Sequence, residues 1–209
     1  PNTVFTNRGD ILFSDPINGA FPNGITTRLD TANSTVVFSN RNFGLTKTLQ
    51  GTSETGASDS ITTNVQIGEA VSYVVAVTVP EGTVTNLAVT DILPPGLGYV
   101  LNSATVNVST LNGTLPDLSE VPGGTGVAPG GSNVTFTFSG ATVVTPDNDV
   151  NNNVFNLYLT AVVRDTNTTT GVSGNTSFLT NRAAVTYLGN PRPAVTSGAV
   201  VVRAITPQV

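Results

Sequence analysis

The sequence has no cysteine, histidine, methionine or tryptophan, and its 209 residues include one lysine, Lys47. Without cysteine there are no disulfides, thiol nucleophiles or thiolate metal sites. Without histidine the chain lacks the usual general base near neutral pH and the commonest transition-metal ligand. A Ser-His-Asp triad and a zinc hydrolase of the usual kind are thereby excluded. Charged residues make up only 10% of the chain, and the formal net charge is -5. No basic stripe exists to neutralise nucleic-acid phosphates, and no basic run to hold anionic lipid. No apolar run approaches the length of a transmembrane helix. The chain opens at Pro1 with neither a basic n-region nor an apolar h-region, and it reads as a mature or excised fragment.

What is present is Thr, Asn, Ser, Gly and Val, a composition that suits extracellular surface proteins of bacteria or archaea. Apolar residues alternate with Thr, Ser or Asn between clusters of Gly, Pro and Asn, and helical periodicity is absent. Strands are expected at 33–40, 44–50, 69–82, 84–91, 104–110, 132–140, 154–165, 178–190 and 194–205, and 92–100 begins with a breaker and re-enters a strand. In the third of these long runs Val71, Tyr73, Val75, Val77 and Val79 share one face. Residues 111–131 read as one long loop, and 145–153 and 166–176 as polar loops. So many strands without helices predict an all-β sandwich over 45–209. Residues 1–44 carry weaker strand signals and stand as an N-terminal extension, extra strands, or the remnant of a neighbouring module.

Three polar residues fall on apolar faces. Lys47 shares a parity with Leu45 and Leu49, Asp91 with Leu87 and Val89, and Asn181 with Leu179, Ala183 and Val185. A buried ammonium or carboxylate costs several kcal/mol (roughly) or loses its charge by a pKa shift, and a buried amide must be satisfied. A neutral lysine amine is a nucleophile and a neutral carboxylic acid is a proton donor. Attack of Lys47 on the Asn181 side-chain carbonyl, with Asp91 as the acid, would expel ammonia and leave an uncharged amide cross-link. The plainer reading stands beside it: Lys47 snorkels to a sheet edge, Asp91 caps the Pro-Pro turn that follows it, and Asn181 bonds a bulged backbone.

The stretch "IGEAVSYVVAVTVPEGTVTNLAVTDILPPGLGYV", followed much later by "LTNRAAVTY", resembles the repeat domains of bacterial surface proteins and of isopeptide-forming fimbrial proteins. The resemblance covers roughly residues 45–205. It implies an immunoglobulin-like sandwich related to the collagen-adhesin A-type domain. It also implies a Lys on the first strand, an Asp ending a "VTDILPPGL" element and an Asn on a late "NRAAV" strand. Lys47, Asp91 and Asn181 occupy those positions in that order. Glu69, with the parity of Val71, is the fallback acid, although its place at a Gly-led strand start predicts an exposed turn residue.

The expected role is a structural module of an extracellular, cell-surface fibre, stalk or pilus-like assembly. Its partners would be neighbouring domains or subunits, and the chain would not be an enzyme beyond one intramolecular turnover. The alternative is an adhesin module that uses loops 111–131 and 145–153 to hold a host or matrix ligand without a cross-link. In a third variant, residues 1–44 donate a strand to a neighbour. No cofactor is implied, although "PDNDVNNN" offers Asp147, Asp149, Asn151 and Asn153 as oxygen ligands for calcium. That loop lacks the bidentate Glu and fixed Gly of an EF-hand, and a solvated turn is the reading it favours. The "RGD" at Arg8 to Asp10 is too short to carry weight.

Overall fold

The computed structural model describes residues 3–13, 28–38, 43–54, 64–122, 132–164, 176–188 and 195–205. The chain divides into two compact units, Pro1–Arg41 and Asn42–Val209. The first unit holds an antiparallel pair, β1 (Thr3–Phe13) and β2 (Arg28–Phe38), in unbroken register from Thr3 opposite Phe38 to Phe13 opposite Arg28. The Arg8–Asp10 tripeptide therefore lies in mid-strand, opposite Asn33 to Thr31.

The second unit is built from β3 (Gly44–Thr52), β4 (Asn64–Val65), β5 (Ala70–Thr78), β6 (Gly82–Leu93), β7 (Leu97–Tyr99), β8 (Thr105–Asn107), β9 (Gly113–Thr114), β10 (Leu118–Pro122), β11 (Ser132–Val144), β12 (Val154–Val163), β13 (Thr176–Thr186), β14 (Val195–Thr196) and β15 (Val200–Ile205). They form two sheets. One runs β3-β5-β12-β7, with β8 also on β12. The other runs β10-β11-β6-β13-β15-β4, with β9 on β11 and β14 on β13. Among the described residues, all pairs are antiparallel except the short β4–β15 contact. With its apolar core held between two sheets, this unit is an immunoglobulin-like all-β sandwich.

The alternation in sequence is the alternation in space. Along β5, Val71, Tyr73, Val75 and Val77 are fully buried while their neighbours are half-buried, and β12 does the same with Phe155, Leu157, Leu159 and Ala161. The sheets meet through these faces: the rings of Phe138 on β11 and Phe155 on β12 lie edge to face at 5.3 Å.

The long loop expected at 111–131 is corrected by the structure. Residues 113–114 and 118–122 are strands on the outer side of β11, with Leu118 opposite Phe138 and Pro122 opposite Val134. The stretch looked like loop because of its Gly and Pro. On an edge strand, however, the N–H that Pro122 lacks is not needed by a further neighbour. Gly113 is required there, since a Cβ would sit 1.9 Å from the Val143 carbonyl oxygen. Loop 145–153 contains a single 3-10 turn at Val150–Asn152, capped by Asp149.

Two register shifts decide whether the site forms. In the β6–β11 pair the register slips between Phe138 and Ala141, at a glycine, Gly140, whose φ of 128° suits no other residue. In the β3–β5 pair it slips between Leu49 and Gly51. Lys47 precedes the second slip, and the β6 segment that carries Asp91 pairs with β11 beyond the first. Both side chains therefore keep the inward parity expected from the strand pattern.

Candidate functional site: lysine, carboxyl and amide sealed between the sheets

The site is assembled from two diagonal pairs, one per sheet. On the first sheet Lys47 lies opposite Val75 and Leu49 opposite Tyr73, so Lys47 and Tyr73 are diagonal neighbours on the inner face. On the second sheet Asp91 lies between Val134 of β11 and Ala183 of β13, and Asn181 is two residues along β13 on the same face. The sandwich closes one diagonal over the other. Val89 and Leu93 along its own strand and Val134 and Ala183 beside it give Asp91 buried apolar neighbours on that face.

The side chains of Lys47 and Asp91 have 0% solvent exposure, and Asn181 is buried as well. The Lys47 ammonium does not snorkel out. Lys47 Nζ contacts Asp91 Oδ1 directly as a buried ion pair. It also lies 3.5 Å from the Arg182 carbonyl oxygen and 4.7 Å from the centroid of the Tyr73 ring. Asn181 Nδ2 faces the other carboxylate oxygen, Asp91 Oδ2, at 3.4 Å. The Asp91 carboxylate thus spans the amine on one side and the amide nitrogen on the other.

Burial dominates the electrostatics. It pushes the Lys47 amine below its usual range, an effect the Asp91 charge and hydrogen bond only partly offset. It pushes the Asp91 carboxyl above its usual range, opposed in turn by Lys47, Asn181 and the Ile92 backbone. Both shifts favour the uncharged form, so the pair tends toward a neutral amine beside a neutral acid. Tyr73 is raised well above the ordinary phenol range, first by burial and then by the Asp91 charge, with Asn181 acting in the opposite sense. Two polar atoms here are buried without a hydrogen-bond partner, the Tyr73 hydroxyl and Asn181 Oδ1. Tyr73 was visible in the sequence only as one of the apolar-face residues of β5. Its place beside Lys47 depends on the β3–β5 register, which no local pattern encodes.

Glu69 is not the exposed turn residue that its Gly-led setting predicted. It is buried, and its carboxylate accepts the backbone N–H of Gln66 at 2.8 Å and of Glu54 at 3.3 Å. It ties the entry of β5 to the end of β3, with its oxygens engaged by backbone. Asp147 and Asp149 likewise serve their own loop. Asp147 accepts from Asp149 N, Asn112 Nδ2 and Asn152 Nδ2 at 2.7–2.9 Å, which holds its carboxyl below the usual range. Asp149 accepts from the N–H and side-chain amide of Asn151, and Asn153 is buried with its Oδ1 unpartnered. Among the described residues, no three His, Cys, Asp or Glu side chains are grouped to hold a metal ion.

No family model and no curated protein matches this chain. Solved structures do, at low identity. The T6 backbone pilin of serotype M6 Streptococcus pyogenes is 15% identical over 83% of this chain and 36% of its own, with a TM-score of 0.43. BcpA, the major pilin subunit of Bacillus cereus, is 14% identical over 94% of this chain and 55% of its own, with a TM-score of 0.42. The structure named BspA_C_mut is 12% identical over 96% of this chain and 55% of its own, with a TM-score of 0.50. The chain thus spans between about a third and a little over half of the structures it resembles. Of these three, BspA_C_mut reaches a TM-score of 0.50, and what the chain shares with it is the fold.

Proposed function

We propose that this chain is a structural module of an extracellular surface fibre, stapled internally by an amide bond between Lys47 and Asn181 that it forms itself. The observation that carries this reading is the Asp91 carboxylate, sealed from water, with one oxygen on the lysine amine and the other toward the asparagine amide nitrogen. That is the geometry of a proton carrier between a nucleophile and its leaving group.

The reaction starts from a neutral Lys47 amine and a protonated Asp91. The Nζ lone pair attacks Asn181 Cγ, and the carbonyl π pair moves onto Oδ1. Asp91 takes a proton from Nζ through one oxygen and delivers its own to Nδ2 through the other. The Oδ1 pair then re-forms the carbonyl, the Cγ–Nδ2 bond breaks, and ammonia leaves. Asp91 ends protonated as it began, and the lysine and asparagine end as one uncharged secondary amide. The energetic cost of keeping an amine and an acid in the core disappears with the product. Burial that would penalise a permanent ion pair here drives the reactants toward the reactive protonation states.

The bond would join β3, the edge of one sheet, to β13 in the middle of the other. Force on the chain ends would then be carried across the sandwich by covalent bonds, and the intervening strands would not unravel. The resemblance of "VTDILPPGL" and "LTNRAAV" to fimbrial and surface repeat domains supports the surface-fibre setting, as does the Thr/Asn-rich composition. Intact mass under denaturing conditions tests the chemistry. The wild-type chain is expected to be lighter than its sequence by one ammonia, and the Lys47→Met and Asp91→Asn chains to have their full masses. A wild-type chain of full mass would remove the cross-link from this proposal.

A further inference from the structure

Asp91 accounts for both proton transfers, but not for the negative charge that gathers on Asn181 Oδ1 when Cγ becomes tetrahedral. Asn181 turns Nδ2 toward Asp91, and Oδ1 is left buried without a donor. In the same site the Tyr73 hydroxyl is buried without an acceptor. One orphan needs a proton donor and the other is a proton donor. They belong to a single cluster: the centroid of the Tyr73 ring lies 4.7 Å from the attacking nitrogen, and Lys47 and Asn181 both contact the Asp91 carboxylate.

We infer that the Tyr73 hydroxyl is the oxyanion donor of the cross-linking reaction, hydrogen-bonding Asn181 Oδ1 as it acquires charge. The inference rests on the cross-linking reading above. It explains why the hydroxyl has no partner in the resting structure. Donors of this kind are aimed at the position the oxyanion takes, away from the ground-state carbonyl, and such bonds tighten only as the reaction proceeds. It also explains why a tyrosine stands where a phenylalanine would fill the same apolar space without burying an unpaired hydroxyl. Burial raises the phenol above its ordinary range, so the donor holds its proton around neutral pH. The ring and the hydroxyl then have separate tasks. The ring lies over the buried lysine amine, and the hydroxyl meets the developing charge on Oδ1.

Tyr73→Phe separates them. The chains are made in a cell-free system, and the loss of ammonia is followed by intact mass against time. Tyr73→Phe is expected to cross-link about 100-fold more slowly than wild type, the usual effect of removing one oxyanion donor. In a Lys47→Met background, where no bond can form, the same substitution is expected to leave the denaturant midpoint unchanged or raise it, because an unsatisfied buried hydroxyl is removed. Slower chemistry in an equally or more stable fold is not what a packing role produces. If wild type loses ammonia and Tyr73→Phe does so at the same rate, Tyr73 is not the donor, while the cross-link stands. If Tyr73→Phe lowers the midpoint in the Lys47→Met background, the hydroxyl is structural and the inference is overturned. If wild type never loses ammonia, the cross-linking reading itself fails and takes this one with it.

Discussion

Replacing Lys47 by methionine should cost the second unit about 5 kcal/mol of stability. Methionine keeps the unbranched apolar stem and has no amine to be acylated. The magnitude follows from where the bond would sit. Lys47 and Asn181 enclose about 135 residues. A covalent closure of that length removes roughly 5 kcal/mol of conformational freedom from the unfolded chain, on the same loop-entropy argument used for disulfides. The fold itself loses little, because Asp91, deprived of its partner, is held protonated by the burial that already raises it. For a domain of this size, ~5 kcal/mol corresponds to a fall in thermal midpoint of about 10–20 °C. Differential scanning calorimetry on wild type and Lys47→Met, with intact mass measured on the same samples, provides the test. Midpoints within about 3 °C of each other, with ammonia lost from wild type, would refute the entropic reasoning. A fall of the expected size in a wild type of full mass would assign the stability to the ion pair instead.

Three further outcomes follow from the same geometry. Asp91→Asn leaves Lys47 buried, unreacted and without its carboxylate, so its folded-state pKa is depressed and the unfolded chain binds the extra proton. Stability should therefore rise with pH between the depressed folded and the unfolded lysine pKa, by up to about 1.4 kcal/mol per unit, and fall as pH drops through that window. Urea midpoints at several pH values, compared with the Lys47→Met/Asp91→Asn double variant, would show this, and parallel profiles would refute it. Glu69→Ala removes a buried acceptor from two backbone N–H groups and should destabilise the unit by about 2–4 kcal/mol. The wild-type loss of ammonia should persist in this variant, and a Glu69→Ala chain of full mass would make Glu69 the acid in place of Asp91. Stretched from its ends by force spectroscopy, the wild-type chain should extend roughly 450 Å less than Lys47→Met, the span of the ~135 enclosed residues. Equal contour lengths would exclude a closed loop.

The sequence by itself determined the strand alternation and therefore the fold class. Val71, Tyr73, Val75 and Val77 face inward because a period of two is a property of the extended backbone. It also determined that thiol and imidazole chemistry are absent, and that Lys47, Asp91 and Asn181 each belong on an inner face. Their inward parity survives because the bulges near Gly140 and Gly51 fall outside the segments that carry them. Local pattern misread 113–122, where glycine and proline mark a sheet edge and not a loop. It also misread Glu69, because the N–H groups that hold that carboxylate inside belong to a turn and to the end of another strand. Tertiary structure alone decided that three residues spread over about 135 positions meet at one point. It also decided that Asp91 presents one oxygen to each reactant, and that Tyr73 and Asn181 Oδ1 are left without partners beside them. Those facts depend on the register between strands far apart in the chain and on how one sheet is laid over the other. Both are set by the packing of the whole core, which no short stretch of sequence contains.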